Sequence, residues 1–118
     1  MNHEMKLKSL YFDKIKNGEK IYEIRLNDEK RKIIDVGDII IFKRKPALTE
    51  QLITEVTDLI YFQSFDDMIN TLPLGKVGFE NATKQNVKDI YRQFYDEDSE
   101  QKYGVVAIKI KLIGNDIK

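Results

Sequence analysis

The sequence predicts a small α+β domain: about five strands curled into a barrel, with two to three helices, over residues 1–118 as one unit. Three observations predict it. The chain has 118 residues, enough for one core and too few for two. Short runs rich in β-branched and aromatic residues are interleaved with segments of helical periodicity. Most links between the strand-like runs suit antiparallel neighbours. Closing such a sheet would also remove its exposed edges.

In chain order, residues 6–10 read as a short strand. Residues 10–17 suit a short helix, with Leu10, Phe12 and Ile15 apolar and Asn17-Gly18 as its stop. Residues 20–26 alternate as a strand. Lys20, Tyr22, Ile24 and Leu26 share one face, and Ile21, Glu23 and Arg25 share the other. Residues 27–35 form a charged connection, and the turn Val36-Gly37-Asp38 feeds a β-branched strand over 38–44. A further strand covers 51–61. Ser64 then caps a short helix, with Asp67 three residues on, that ends near Leu72-Pro73. Asn81 or Thr83 opens a longer helix through about Tyr95. Its Val87, Ile90, Tyr91 and Phe94 follow the spacing of a packing face. Residues 103–113 form the last strand.

Composition narrows the function classes. Hydrophobic residues make up 42% and charged residues 34% of the chain, values of a soluble globular protein. No apolar run approaches the length of a membrane span, and residues 1–6 lack a signal-peptide core. Cysteine is absent, which excludes disulfides and thiolate metal sites. These features point to the cytoplasm and away from a membrane. The single histidine, His3, is expected at a frayed terminus, so histidine catalysis and histidine metal clusters are nearly excluded. Asp96, Glu97, Asp98 and Glu100 could hold a metal, but a solvated acidic loop is the preferred reading. Neither a metal nor a cofactor is expected, and no glycine pattern suits a phosphate loop. Net charge is zero, yet residues 1–45 carry a surplus of +4 and residues 46–118 one of −4. The basic clusters Lys30-Arg31-Lys32 and Lys43-Arg44-Lys45 could meet phosphates, or lie solvated at strand ends.

The most informative stretch runs from Asn17 to Asp38. Lys20, Glu23 and Arg25 sit among hydrophobic residues, where charge is costly unless paired or used. Arginine offers a planar fork to a phosphate or base edge. Lysine offers a point charge, and a carboxylate can accept from an exocyclic amine. Tyr22 is adjacent and could stack on a base, with Tyr61, Phe62 and Tyr103 as weaker candidates; core packing is the alternative for each. A structural ion-pair set around Glu23 is the alternative for the charges. Gly18, Gly37 and Asp38 are read as turn architecture.

The order of strand, short helix, G-x-K-x-x-E-x-R, charged turn, V-G-D and apolar strand resembles the ASCH domain, a relative of the PUA superfamily of RNA-binding barrels. Gly18, Lys20, Glu23, Arg25, Gly37 and Asp38 carry the likeness, with Tyr103-Gly104-Val105 before the last strand. The resemblance implies a PUA-like β-barrel with a cleft lined by the G-x-K-x-x-E-x-R segment, and RNA or a nucleotide-type molecule as partner. Lys20, Tyr22, Glu23 and Arg25 are the expected binding residues. One branch of the family resembles amidohydrolases that deacetylate N4-acetylcytidine with a lysine, a threonine and a glutamate. Lys20 matches that lysine, while Glu23 stands at the threonine position and Asn86 at the glutamate. An amidohydrolase using Lys20 and Glu23 is therefore one alternative, and a protein-interaction module docking through the basic half is another. Asn86, Lys88 or Arg92 of the late helix could complete the site.

Overall fold

A computed structural model describes residues 1–117. The described residues form five strands and six helices. In order these are β1 (Asn2–Leu7), α1 (Ser9–Lys16), β2 (Tyr22–Leu26), α2 (Glu29–Lys32), β3 (Ile39–Arg44), β4 (Glu50–Phe62), α3 (Phe65–Thr71), α4 (Leu74–Val77), α5 (Lys84–Phe94), α6 (Glu97–Tyr103) and β5 (Val105–Ile117). The strand order is β1-β3-β4-β5-β2. The β1–β3 pair is parallel and the other three pairs are antiparallel. The sheet is a curled half-barrel of α+β class, with β1 and β2 as its two edges.

Local chemistry accounts for the helices. Ser64 Oγ accepts from Asp67 N at 3.1 Å and Thr83 Oγ1 from Asn86 N at 3.1 Å, so α3 and α5 begin on side-chain caps. Helix α1 stops where Gly18 turns at φ +86°. Strand β5 shows why the sheet has two cores. Val106, Ile108 and Ile110 join one cluster with Met5, Phe12, Phe42 and Leu52. Val105 and Ala107 join the other with Ile24, Phe65, Met68, Val77 and Val87. Period-two alternation sends successive side chains to opposite faces, and both faces are covered.

Four expectations are corrected. The first strand spans Asn2–Leu7 rather than 6–10. Its outward residues are polar, so alternation of Met5 and Leu7 is its only apolar signal. His3 is not frayed: its side chain is 10% exposed, and Nε2 lies 2.8 Å from Asp38 Oδ2. Three further short helices, α2, α4 and α6, supplement the two or three expected, and the charged connection 27–35 contains one of them. Asp96 and Glu100 belong to no acidic loop. Asp96 caps α6 by accepting from Ser99 N at 2.7 Å. Glu100 is buried, accepting from Arg92 Nη2 at 2.7 Å and Phe65 N at 2.7 Å.

Candidate functional site

The seam between the two edge strands holds a cavity of about 160 Å³. Its floor is the triad that the sequence singles out. Lys20 lies just before β2, where Ile21 N bonds to Lys76 O at 2.8 Å. This bond draws the segment onto α4 and out of strand geometry. Lys20 therefore turns toward Glu23, although strand parity would set the two on opposite faces. Its Nζ lies 3.1 Å from Glu23 Oε1 and donates to Tyr22 O at 2.6 Å and Val77 O at 2.8 Å. An ammonium has three protons, and these acceptors take all of them. Arg25 Nε donates to Glu23 Oε2 at 2.8 Å, so both carboxylate oxygens are engaged. Arg25 Nη2 reaches across the seam toward Lys6 O at 3.4 Å. Its Nη1 bonds to no described residue.

The three side chains are 3%, 7% and 18% exposed for Lys20, Glu23 and Arg25. Burial lowers the Lys20 pKa, and the Glu23 charge opposes this only in part. Burial alone would raise Glu23, but the adjacent Lys20 and Arg25 cations hold its carboxyl below the ordinary value. Burial works against the Arg25 charge, but Glu23 outweighs it and the guanidinium pKa is raised. Glu23 is thus an ionised bridge between two cations.

Aromatic rings form the wall. Tyr11, Phe79, Tyr91, Phe94 and Tyr95 line the cavity. They form a braced series: Tyr11 meets Phe79 edge-on at 5.7 Å, and Phe79 meets Tyr91 edge-on at 5.7 Å. Phe65 stacks on Tyr91 at 4.8 Å and on Tyr95 at 5.5 Å. Burial, followed by the Glu23 charge, raises the phenol pKa of Tyr11 and Tyr91. These hydroxyls stay protonated and available as donors.

The rim is cationic. Lys6, Lys8 and Lys45 line the mouth, and none of them pairs with a carboxylate of a described residue. Lys8 Nζ sits 4.9 Å from the centre of the Phe94 ring, in cation–π range. Five cations and one carboxylate line the cavity, and that carboxylate is already shared by two of the cations.

The structure brings together Lys20, Glu23 and Arg25. Tyr22 does not line the cavity; it packs against the second core cluster. Tyr61, Phe62 and Tyr103 also lie outside the lining. Gly18 and Gly37 turn at φ +86° and +95°. Asp38 accepts from Asp35 N at 3.0 Å and from the amino terminus at 3.3 Å. The late helix completes the site with Ile90, Tyr91 and Phe94. Asn86 is exposed in its first turn, Lys88 pairs with Asp66 at 3.1 Å and Arg92 with Glu100 at 2.7 Å. Lys6, Lys8, Tyr11, Phe79 and Tyr95 escaped the sequence reading, whereas Lys45 belongs to the Lys43-Arg44-Lys45 cluster that it picked out for phosphates. Lys6 and Lys8 had a usable signal, since they alternate with buried Met5 and Leu7. Among the described residues no group of three His, Cys, Asp or Glu side chains could hold a metal. No described helix is long and apolar enough to cross a membrane.

The five-stranded curled half-barrel with its covering helices defines the class of protein. The ASCH domain family model matches residues 5–114, and the chain belongs to that family. It is similar to the hypothetical protein PH0355, with 41% identity, a TM-score of 0.85, and coverage of 96% of this chain and 100% of that one. Protein PF0455 from Pyrococcus furiosus is 35% identical at a TM-score of 0.76, with 96% and 98% covered. The ASCH protein from Zymomonas mobilis shares the fold at a TM-score of 0.63 and 12% identity, over 92% of this chain and 65% of that one. No curated protein matches the sequence.

Proposed function

We propose that the seam cavity binds single-stranded RNA, seating one base against the aromatic wall and holding the adjoining phosphates on the lysine rim. The surplus of unpaired cations around a wall of rings carries this reading. Phosphates need the charge, and an unstacked base needs an aromatic face. The cavity is smaller than the roughly 300–1,000 Å³ of sites that enclose drug-sized ligands. It suits a single ring system, leaving sugar and phosphates outside. Arg25 Nη1 is the free donor for a base edge, and Glu23 orients Arg25. Lys20 contributes by holding Glu23.

The amidohydrolase reading has less support. Its lysine would need a free amine, whereas Lys20 Nζ faces three acceptors, Tyr22 O, Val77 O and Glu23 Oε1, which favour the charged form. The test is fluorescence anisotropy of a short labelled RNA at several salt concentrations. Replacing Lys6, Lys8 and Lys45 together by Glu should weaken binding and flatten the slope of log K against log salt by ~0.7 per lost contact. Equal affinity and slope in the triple variant and the parent would refute the rim assignment.

A further inference from the structure

The seam cavity is rich in hydrogen-bond donors and poor in acceptors. Among the described residues, Glu23 is the one carboxylate in its lining. Each of its oxygens already takes a cation, Lys20 at 3.1 Å and Arg25 Nε at 2.8 Å. The main-chain oxygens of Tyr22 and Val77 are taken by Lys20 Nζ. No described asparagine or glutamine lines the cavity. The donors, by contrast, are unspent. Arg25 is anchored to Glu23 through Nε, reaches Lys6 O through Nη2 only at 3.4 Å, and leaves Nη1 free of any described residue. The hydroxyls of Tyr11, Tyr91 and Tyr95 bond to no described residue either. Neither Nη1 nor these hydroxyls is sealed from solvent, although Tyr91 is largely buried. All four residues line the cavity, so a ligand there can reach them. A phenol can accept as well as donate, but a guanidinium only donates.

Base edges differ in what they offer to such a lining. On its Hoogsteen side adenine sets an acceptor beside an amine, which an amide side chain reads. Cytosine shows an amine, which needs a carboxylate. The cavity has no amide, and its carboxylate is spent. Uracil shows a single carbonyl there. Guanine shows two adjacent acceptors, N7 and O6, which an arginine takes bidentately. With Nε held by Glu23, the two Nη groups of Arg25 remain for that contact. A base splayed out of a single strand exposes this edge while its face stacks on an aromatic ring.

We propose that the seam cavity selects guanine, with Arg25 Nη1 and Nη2 donating to its O6 and N7. This assignment rests on the RNA reading and deepens it by naming the base that is seated. It makes Glu23 a positioning residue, which fixes the guanidinium without touching the base.

The experiment measures fluorescence anisotropy of labelled cytidine pentamers with one variable central base, bound to the unaltered full chain. Guanine should bind more tightly than adenine or cytosine by about 5- to 150-fold, the discrimination of one bidentate pair. Inosine keeps O6 and N7 and should match guanine. The 7-deaza analogue of guanine lacks N7 and should lose most of the preference. Equal affinity for all four bases would overturn the guanine assignment and leave the RNA reading standing. So would a loss with inosine and none with the 7-deaza analogue, because the amine would then be the group that is read. Arg25→Lys keeps the charge without the fork and should bind guanine and adenine alike. A guanine preference that survives in that variant would overturn the role of Arg25. In parallel, guanosine monophosphate is titrated into the full chain labelled with nitrogen-15. A saturable shift of the Arg25 Nε–H signal, absent with cytidine monophosphate, in a protein that binds no RNA would keep the base assignment and reject the RNA reading. No such shift and no RNA binding would overturn both.

Discussion

The main-chain oxygen of Val77 accepts from Lys20 Nζ at 2.8 Å, joining the last turn of α4 to the residues that precede β2. The bond decides the role of Lys20, because the other two ammonium protons go to Tyr22 O and Glu23. The side chain is a tie between three segments, and its charge is consumed inside the protein.

Lys20→Met keeps the length of the side chain and removes the tie. Glu23 then has one cation instead of two, and the oxygens of Val77 and Tyr22 lose a donor. Breaking a buried ion pair from one side costs ~3–5 kcal/mol, so urea unfolding should show a loss of that order. RNA affinity should fall with stability. A variant of parental stability that binds RNA poorly would instead make Lys20 a direct ligand contact.

Acid stability has a defined sign. Asp38 is held at a pKa of about 2, first by His3 and then by the Asp35 amide. A free aspartate titrates near ~3.9. The folded pKa is the lower one, so the group adds stability above ~3.9 that is lost as pH falls through about 2. Glu23 is lowered too and acts in the same direction. Asp38→Asn should lower stability at neutral pH and make the loss between about pH 4 and pH 2 shallower than in the parent. Parallel acid limbs in the two proteins would show that the contacts with His3 and Asp35 carry no linkage.

Some of this was legible in the sequence. Ser64 announced its helix, and Thr83 was one of two candidates with Asn81 for the late one, because a cap is a local hydrogen bond decided within four residues. Lys20, Glu23 and Arg25 stood out because three charges in an apolar strand need an explanation. The side to which Lys20 turns was not legible. It depends on Ile21 bonding to Lys76, a residue 55 positions away, and strand parity argued the other way. The aromatic wall was half visible. Tyr91 and Phe94 marked a helix face, but Tyr11 and Phe79 join it only through tertiary packing. Tyr22, adjacent in sequence to the site, alternates away from it into the core.

Gly78 is a second support under Lys20. It adopts φ +111°, and an added Cβ would stand 3.2 Å from Lys20 Cδ and 3.4 Å from Tyr11 Cδ1. Gly37 has a similar φ of +95° with open space around the same position. Gly37→Ala should therefore show backbone strain alone, ~1–3 kcal/mol for such a region. Gly78→Ala adds crowding at the triad and should be the more destabilised of the two in thermal unfolding. Equal losses would show that the Lys20 side chain gives way freely.

Phe94 separates binding from stability. Its ring is 56% exposed and belongs to neither core cluster. It carries Lys8 Nζ at 4.9 Å at the cavity mouth. Phe94→Ala removes little buried surface, so unfolding free energy should stay within ~0.5 kcal/mol of the parent. A base stacked on that ring would lose ~1–3 kcal/mol of binding, and Phe94→Tyr should retain most of it. Tyr91 is buried within the wall, stacked on Phe65, so Tyr91→Ala should lose stability and affinity together. If Phe94→Ala bound RNA as tightly as the parent, the base would have to sit deeper, against Tyr91 and Tyr95, with Phe94 serving only to seat Lys8.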